Sequence, residues 1–248
     1  MTWWDQVYRY CERAQDPSFW AEPFNAFSSF GFLLVASWAA WRWSRLKADP
    51  QNRPDSVALA ALIALAFAIG VGSFLFHTFA TRWSRFADVV PIAAFMVGYL
   101  AFALRTFLQW DATRLTVAIT VFLAATVLAA NVSCPTQLTS IAAFSREPCL
   151  KGTMGYLPAL AALLVTGALL RQRHPAGRAL LAAAGIFLAA MLLRWLDQRS
   201  CNLIVLFGRP RGTHALWHLL NAATVFVLLA AAISAIETRQ RGTAPTAA

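Results

Sequence analysis

The sequence predicts an all-α integral membrane protein, a seven-transmembrane helix bundle with an intramembrane metal site near one surface. Three observations lead there. Of 248 residues, 59% are hydrophobic and only 13% charged, against the roughly 45–50% and about 25% usual for soluble domains. Too few polar residues remain to cover a soluble globule of this length. The apolar residues fall into seven long runs, each close to the roughly 20 residues that a bilayer core demands of a helix. Finally, three of the four histidines sit at ends of those runs, where they can converge.

In chain order the runs are Glu22–Trp43, Val57–Phe76, Asp88–Phe107, Leu115–Asn131, Met154–Leu170, Arg178–Leu196 and His214–Ile236. Their connections are marked by breakers: Asp49-Pro50, Arg53-Pro54, Cys134-Pro135, His174-Pro175 and Gly208-Arg209-Pro210. Residues 1–21 are expected outside the membrane. Asp5, Glu12 and Asp16 stand there in place of a basic n-region, which argues against a cleavable signal peptide. Residues 238–248 are small and polar and are expected to be a disordered tail. The whole chain, 1–248, reads as a single domain.

A net charge of +10 does not imply nucleic acid, because the basic residues are scattered over every loop with no stripe along one helix. They suit anchoring against anionic headgroups, with the bilayer itself as partner. No obligate protein partner is indicated. An odd number of spans puts the termini on opposite sides. The 21 Lys and Arg divide almost evenly between the two faces, so the positive-inside rule does not orient the bundle. All four cysteines fall on the N-terminal face, which suggests disulfides in an oxidising compartment. Cys134 with Cys149 closes one loop and is the economical pair, leaving Cys11 with Cys201; four unpaired thiols are the alternative. With the Arg-rich, Ala-rich composition, this leads to the expectation of a bacterial inner membrane with the N-terminus facing the periplasm.

His214 and His218 are spaced i, i+4, so both project from one face at the start of the seventh run. His77 ends the second run, on the same side of the membrane. Three imidazoles that leave a fourth position for water form the pattern of catalytic zinc, and polar groups at membrane depth are costly and usually functional. Ser73 precedes His77 by one helical turn. Asp88 opens the third run across a short loop. Glu22, Asn25 and Ser28 form an i, i+3, i+6 stripe, and Asp197 closes the sixth run. For Glu22 and Asp197 the competing role is an interfacial cap or a partner of Arg194 and Arg199; for Asn25 and Ser28 it is interhelical hydrogen bonding. Phe74, Phe76, Phe79, Trp83 and Trp217 are candidates to line the site, against the plainer role of an interfacial belt.

Taken in order, Glu22-Pro-Phe-Asn25-Ala-Phe-Ser28, Gly72-Ser73-Phe-Leu-Phe-His77, Asp88, Trp195-Leu-Asp197-Gln-Arg-Ser-Cys201 and His214-Ala-Leu-Trp217-His218 resemble the alkaline ceramidase family of seven-helix hydrolases, over about Cys11 to Leu220. The resemblance implies zinc on His77, His214 and His218, with Ser73 and Asp88 beside it, and a Cys11–Cys201 disulfide. It also implies, for members that bind calcium, an acidic cluster just before the first run. Glu12 and Glu22 match that cluster and Asp16 is a substitute, whereas Arg9 and Ala14 stand where acidic or amide ligands are expected.

The function so implied is a zinc-dependent amidase acting on a membrane lipid, ceramide or a similar N-acyl lipid. Zinc lowers the pKa of bound water to about 7, Asp88 is placed to relay the proton, and Ser73 to donate to the oxyanion. The alternative is a zinc-containing lipid receptor without turnover. A transporter ranks last, because the polar groups sit at one end rather than at the midplane.

Overall fold

The computed structural model describes residues 2–46, 50, 53–134 and 147–242. Among them, seven stretches are long and apolar enough to cross a membrane, and they follow the seven predicted runs in order. The chain is an integral membrane protein. Its helices are α1 (Pro23–Ser28), α2 (Phe30–Ser44), α3 (Arg53–Phe79), α4 (Arg82–Thr106), α5 (Ala112–Ala130), α6 (Leu157–Leu170), α7 (Ala176–Leu196) and α8 (His214–Gly242). Two short antiparallel hairpins, β1 (Ser133–Cys134) with β2 (Glu147–Pro148) and β3 (Val205–Leu206) with β4 (Arg209–Pro210), lie in the connections after α5 and α7.

Several boundaries differ from expectation, each for a physical reason. Hydropathy marks the lipid-facing length of a helix, but polar turns continue it through the interface. So α3 spans Arg53–Phe79 and His77 falls within its last turn. Asp88 does not open its helix: α4 begins at Arg82, where the side chains of Thr81 and Ser84 cap each other's backbone N–H. The first run is two helices, broken at Ser29. Nor do residues 238–242 belong to a disordered tail. They continue α8, where Arg239 pairs with Asp55; residues 243–248 lie outside the described residues, as do Asp49 and Pro135 of the predicted breakers.

Packing follows small residues. In lipid, helices associate through van der Waals contact and interhelical hydrogen bonds, so backbones that approach closely are favoured. Ala36, Ala39, Ala66 and Ala232 are fully buried in the core, where α2 lies against both α3 and α8. The pairs α3–α4 and α7–α8 pack most extensively, while α5 is peripheral and buries only Phe122. The tightest approach bearing on function is at Gly72, where a Cβ would fall onto the Ala87 carbonyl oxygen of α4. That contact sets Ser73 of α3 beside Asp88 of α4.

Both expected disulfides are present: Cys11–Cys201 with Cα atoms 5.3 Å apart, and Cys134–Cys149 at 4.8 Å. The first ties the segment before α1 to the α7–α8 connection, and so covers the end of the bundle that holds the histidines.

Candidate functional site

His77 comes from the last turn of α3, while His214 and His218 lie one turn apart at the start of α8. All three are buried, and a ligand nitrogen from each lies within 4.8 Å of the others. His77 Nδ1 is 2.6 Å from Glu22 Oε2. His218 Nδ1 is 2.8 Å from Ser28 Oγ and 3.1 Å from the Asn25 carbonyl oxygen. A carboxylate and a carbonyl only accept, so both Nδ1 atoms carry the hydrogen, and in neutral imidazoles the two Nε2 atoms are then bare lone pairs. Those Nε2 atoms face each other at 3.2 Å. Two lone pairs so placed repel, and a cation between them removes the conflict. His214 Nδ1 and Asp88 Oδ1 are also buried without a hydrogen-bond partner. The residues fit a metal ion, with its outer partners Glu22, Ser28 and Asn25 already fixing ring orientation.

The break in the first span supplies one of these partners. In an unbroken helix the Asn25 carbonyl would accept from the Ser29 N–H. Here that N–H turns to Ala26 O at 3.2 Å. The freed Asn25 oxygen accepts instead from Ser28 Oγ at 2.8 Å, Ser29 Oγ at 3.1 Å and His218 Nδ1. The role of Asn25 and Ser28 is therefore interhelical hydrogen bonding, directed at a ring of the centre.

Arg13, which sequence reasoning treated only as part of the scattered charge, holds the other side. Its Nε is 2.6 Å from Glu22 Oε1, and Nη2 donates to the carbonyls of His77 and Thr78 at 2.9 and 3.1 Å. Those carbonyls are among the unsatisfied acceptors at the C-terminus of α3, so Arg13 caps the helix that carries His77. Asn25 Nδ2 also donates to Glu22 Oε2 at 3.0 Å. Asp197 caps the opposite element. Its Oδ1 accepts the N–H groups of Thr213 and His214 at 2.8 and 2.9 Å, and its Oδ2 that of Cys11 at 3.3 Å. Of its two predicted roles, Asp197 takes the cap. Gly212 is required beside it: its φ is +64°, and a Cβ would fall onto Asp197 Oδ1. Tyr10 stacks on His214 with ring centroids 3.8 Å apart, a contact that nothing in the local sequence signals.

Ser73 and Asp88 line, with His214 and His218, a largely apolar cavity of about 350 Å3. The cavity reaches Ala103, Leu163 and Leu180, deep in the membrane-spanning region. Of the predicted aromatics, Phe76 and Trp217 line it. Phe74 and Phe79 join Phe19, Trp20, Phe27 and Phe30 in a chain of ring contacts, and Trp83 packs on Phe79; these three form a belt rather than the lining.

The expected calcium residues do not fit calcium. Among the described residues, the three histidines form the sole potential metal-ligating group. Glu12, Glu22 and Asp16 each face a guanidinium instead: Arg211 at 2.7 Å, Arg13 at 2.6 Å and Arg209 at 3.7 Å. Glu12 also accepts the N–H groups of Phe24 and Asn25 at 2.9 and 2.8 Å, bonds that oppose the rise burial imposes on its carboxyl. Arginine occupies the places where a calcium ion would need open oxygens.

A seven-span bundle with three converging imidazoles at the head of an apolar cavity defines an integral membrane protein with a centre that could hold a metal ion. The Ceramidase family profile matches residues 8–246, nearly the whole chain, and the chain belongs to that family. Membership gives it, in general terms, the activity of a hydrolase of ceramide. No curated protein is similar enough to match it.

Proposed function

We propose that the protein is a zinc-dependent membrane amidase that cleaves ceramide or a related N-acyl lipid into a free fatty acid and a long-chain amine. The observation that supports this most is the pair of opposed imidazole lone pairs at the head of an apolar cavity. Three histidine donors are the set that catalytic zinc takes. A zinc ion held by His77, His214 and His218 would supply a water of pKa about 7 and polarise the amide carbonyl.

The remaining work falls to the chain's own residues. The cavity takes the hydrocarbon and leaves the amide beside Ser73 and Asp88. Asp88 accepts a proton from the attacking water as its oxygen bonds to the carbonyl carbon. It returns that proton to nitrogen as the C–N bond breaks, so an acid and an amine leave with atoms and charge balanced. Ser73 lines the same cavity, and its hydroxyl hydrogen is available to the carbonyl oxygen as charge develops there, a role worth about 3–4 kcal/mol. Glu22, Ser28 and the Asn25 carbonyl keep the rings oriented. The two disulfides at the site end support a location in a bacterial inner membrane with that end facing the periplasm.

The test is fatty-acid release from ceramides and other N-acyl lipids by the purified protein, beside elemental analysis. Wild-type protein should carry one zinc per chain and release acid; His77→Ala should lose both. Undiminished release by His77→Ala overturns the reading. Zinc retained with no release from any lipid favours a receptor.

A further inference from the structure

A second cavity adjoins the first. It measures about 200 Å3 and is lined by Tyr8, Arg9, Lys151, Arg194, Asp197 and Gln198 among others. Arg9, Tyr10 and Arg194 line both cavities and so stand at their junction, and Arg85 lines the larger one from α4. Among the described residues none of Arg9, Arg85 and Arg194 takes part in an ion pair. The Arg194 guanidinium lies over the rings of Tyr156 and Trp217, 5.6 and 5.2 Å from their centroids, and Nη1 is 3.4 Å from the Tyr10 hydroxyl. Its Nε is buried and has no partner. Burial and the neighbouring charges of Arg85 and Arg194 push the Arg9 guanidinium below its ordinary value.

Neither nearby carboxylate reaches these guanidinium groups as an ion pair. Asp197 is occupied by three backbone N–H groups, and Asp88 interacts with Arg194 and Arg85 only at longer range. Cations gathered at the mouth of a lipid cavity, one with a buried donor unused, lack an anion. We propose that the substrate carries an anionic group on its amine side, and that Arg9 and Arg194 bind the oxygens of that carboxylate or phosphate while the acyl chain fills the apolar cavity. This rests on the amidase reading above and narrows it. The uncharged hydroxyl headgroup of a plain ceramide would leave both arginines unpaired.

Two matched pairs of lipids test the proposal on the full-length protein in neutral detergent: N-oleoylethanolamide against N-oleoylglycine, and ceramide against ceramide 1-phosphate. The acidic member of at least one pair should be favoured in kcat/KM by about tenfold or more. The first pair reports a carboxylate and the second a phosphate. Arg194→Gln and Arg9→Gln should each collapse the acidic-to-neutral ratio, and Arg194→Lys should restore part of it. A merely structural role would lower both members alike. Equal rates within both pairs, or ratios that survive both substitutions, overturn the proposal and leave the amidase reading intact. Should no lipid be hydrolysed, quenching of tryptophan fluorescence by the same four lipids decides. Tighter binding of the acidic members that Arg194→Gln abolishes supports the anion site, and equal binding refutes it. Tight binding of oleate alone, lost in Arg194→Gln, would make this a site for the product acid and also overturn it.

Discussion

Ion pairs tie the helices together at both ends of the bundle, and the two sets are chemically similar but physically unlike. At the far end, Arg239 approaches Asp55 at 2.5 Å and Arg42 approaches Glu237 at 2.7 Å. At the site end, Arg13 and His77 each approach Glu22 at 2.6 Å. The distances barely differ. Exposure does: the arginines of the far pairs are 39% and 35% accessible, whereas Arg13, His77 and Glu22 are at most 3%. Water screens and replaces partners at one end and is excluded from the other. A contact distance therefore says little about what a pair contributes until its surroundings are known.

The sharpest way to test this contrast is Arg13→Gln. Removing one partner of a buried pair leaves an uncompensated charge, which costs about 3–5 kcal/mol, and the capped carbonyls of His77 and Thr78 lose their donor as well. Thermal unfolding in detergent should show a loss of that order. A loss under about 1 kcal/mol would place the site end in the same class as the far end and break the comparison.

Asp88→Asn separates chemistry from architecture within the site end. If Asp88 relays the proton, the rate should fall by about 10²- to 10⁴-fold while the metal content stays at the wild-type level. A parallel loss of metal would make Asp88 a positioning residue. Ser28→Ala should act more weakly. His218 Nδ1 keeps the Asn25 carbonyl, so the ring is oriented by one partner rather than two, and metal affinity should fall about 10- to 100-fold. Competition with a zinc chelator measures it, and an unchanged affinity would assign ring orientation to the backbone alone.

What the sequence displays, and what it hides, follows the same division. The seven spans are legible because crossing length is a one-dimensional property. His214 and His218 are legible from their spacing, His77 from span parity, and the disulfides from four cysteines on one face. Arg13 is not legible as a cap, because the helix carbonyls it caps lie 64 and 65 positions away, and alone it looks like any interfacial anchor. The break at Ser29 is hidden too, since it appears only as a carbonyl changing partners. The calcium expectation gains no support for a related reason: the resemblance transfers the positions of Glu12 and Glu22 but not the arginines that answer them. The one local hint was Arg9 and Arg13 interleaved with Glu12 and Asp16.

Asp55→Asn is the smallest expected effect and the one that fixes the baseline. Asp55 accepts from Arg239 and from Thr106 Oγ1 at 3.0 Å, and Arg239 also donates to the Thr106 carbonyl at 2.6 Å. After substitution the asparagine oxygen still accepts from Thr106, Arg239 keeps the carbonyl, and water reaches the rest. The stability change should then stay within about 1 kcal/mol, and it should shrink as salt is added because exposed charges are screened over about 8–10 Å at physiological ionic strength. Activity should not move, since the substitution sits at the opposite end of α3 from His77. A salt-insensitive loss of several kcal/mol would mean that the far end excludes water as the site end does, and burial would no longer explain why the two ends differ.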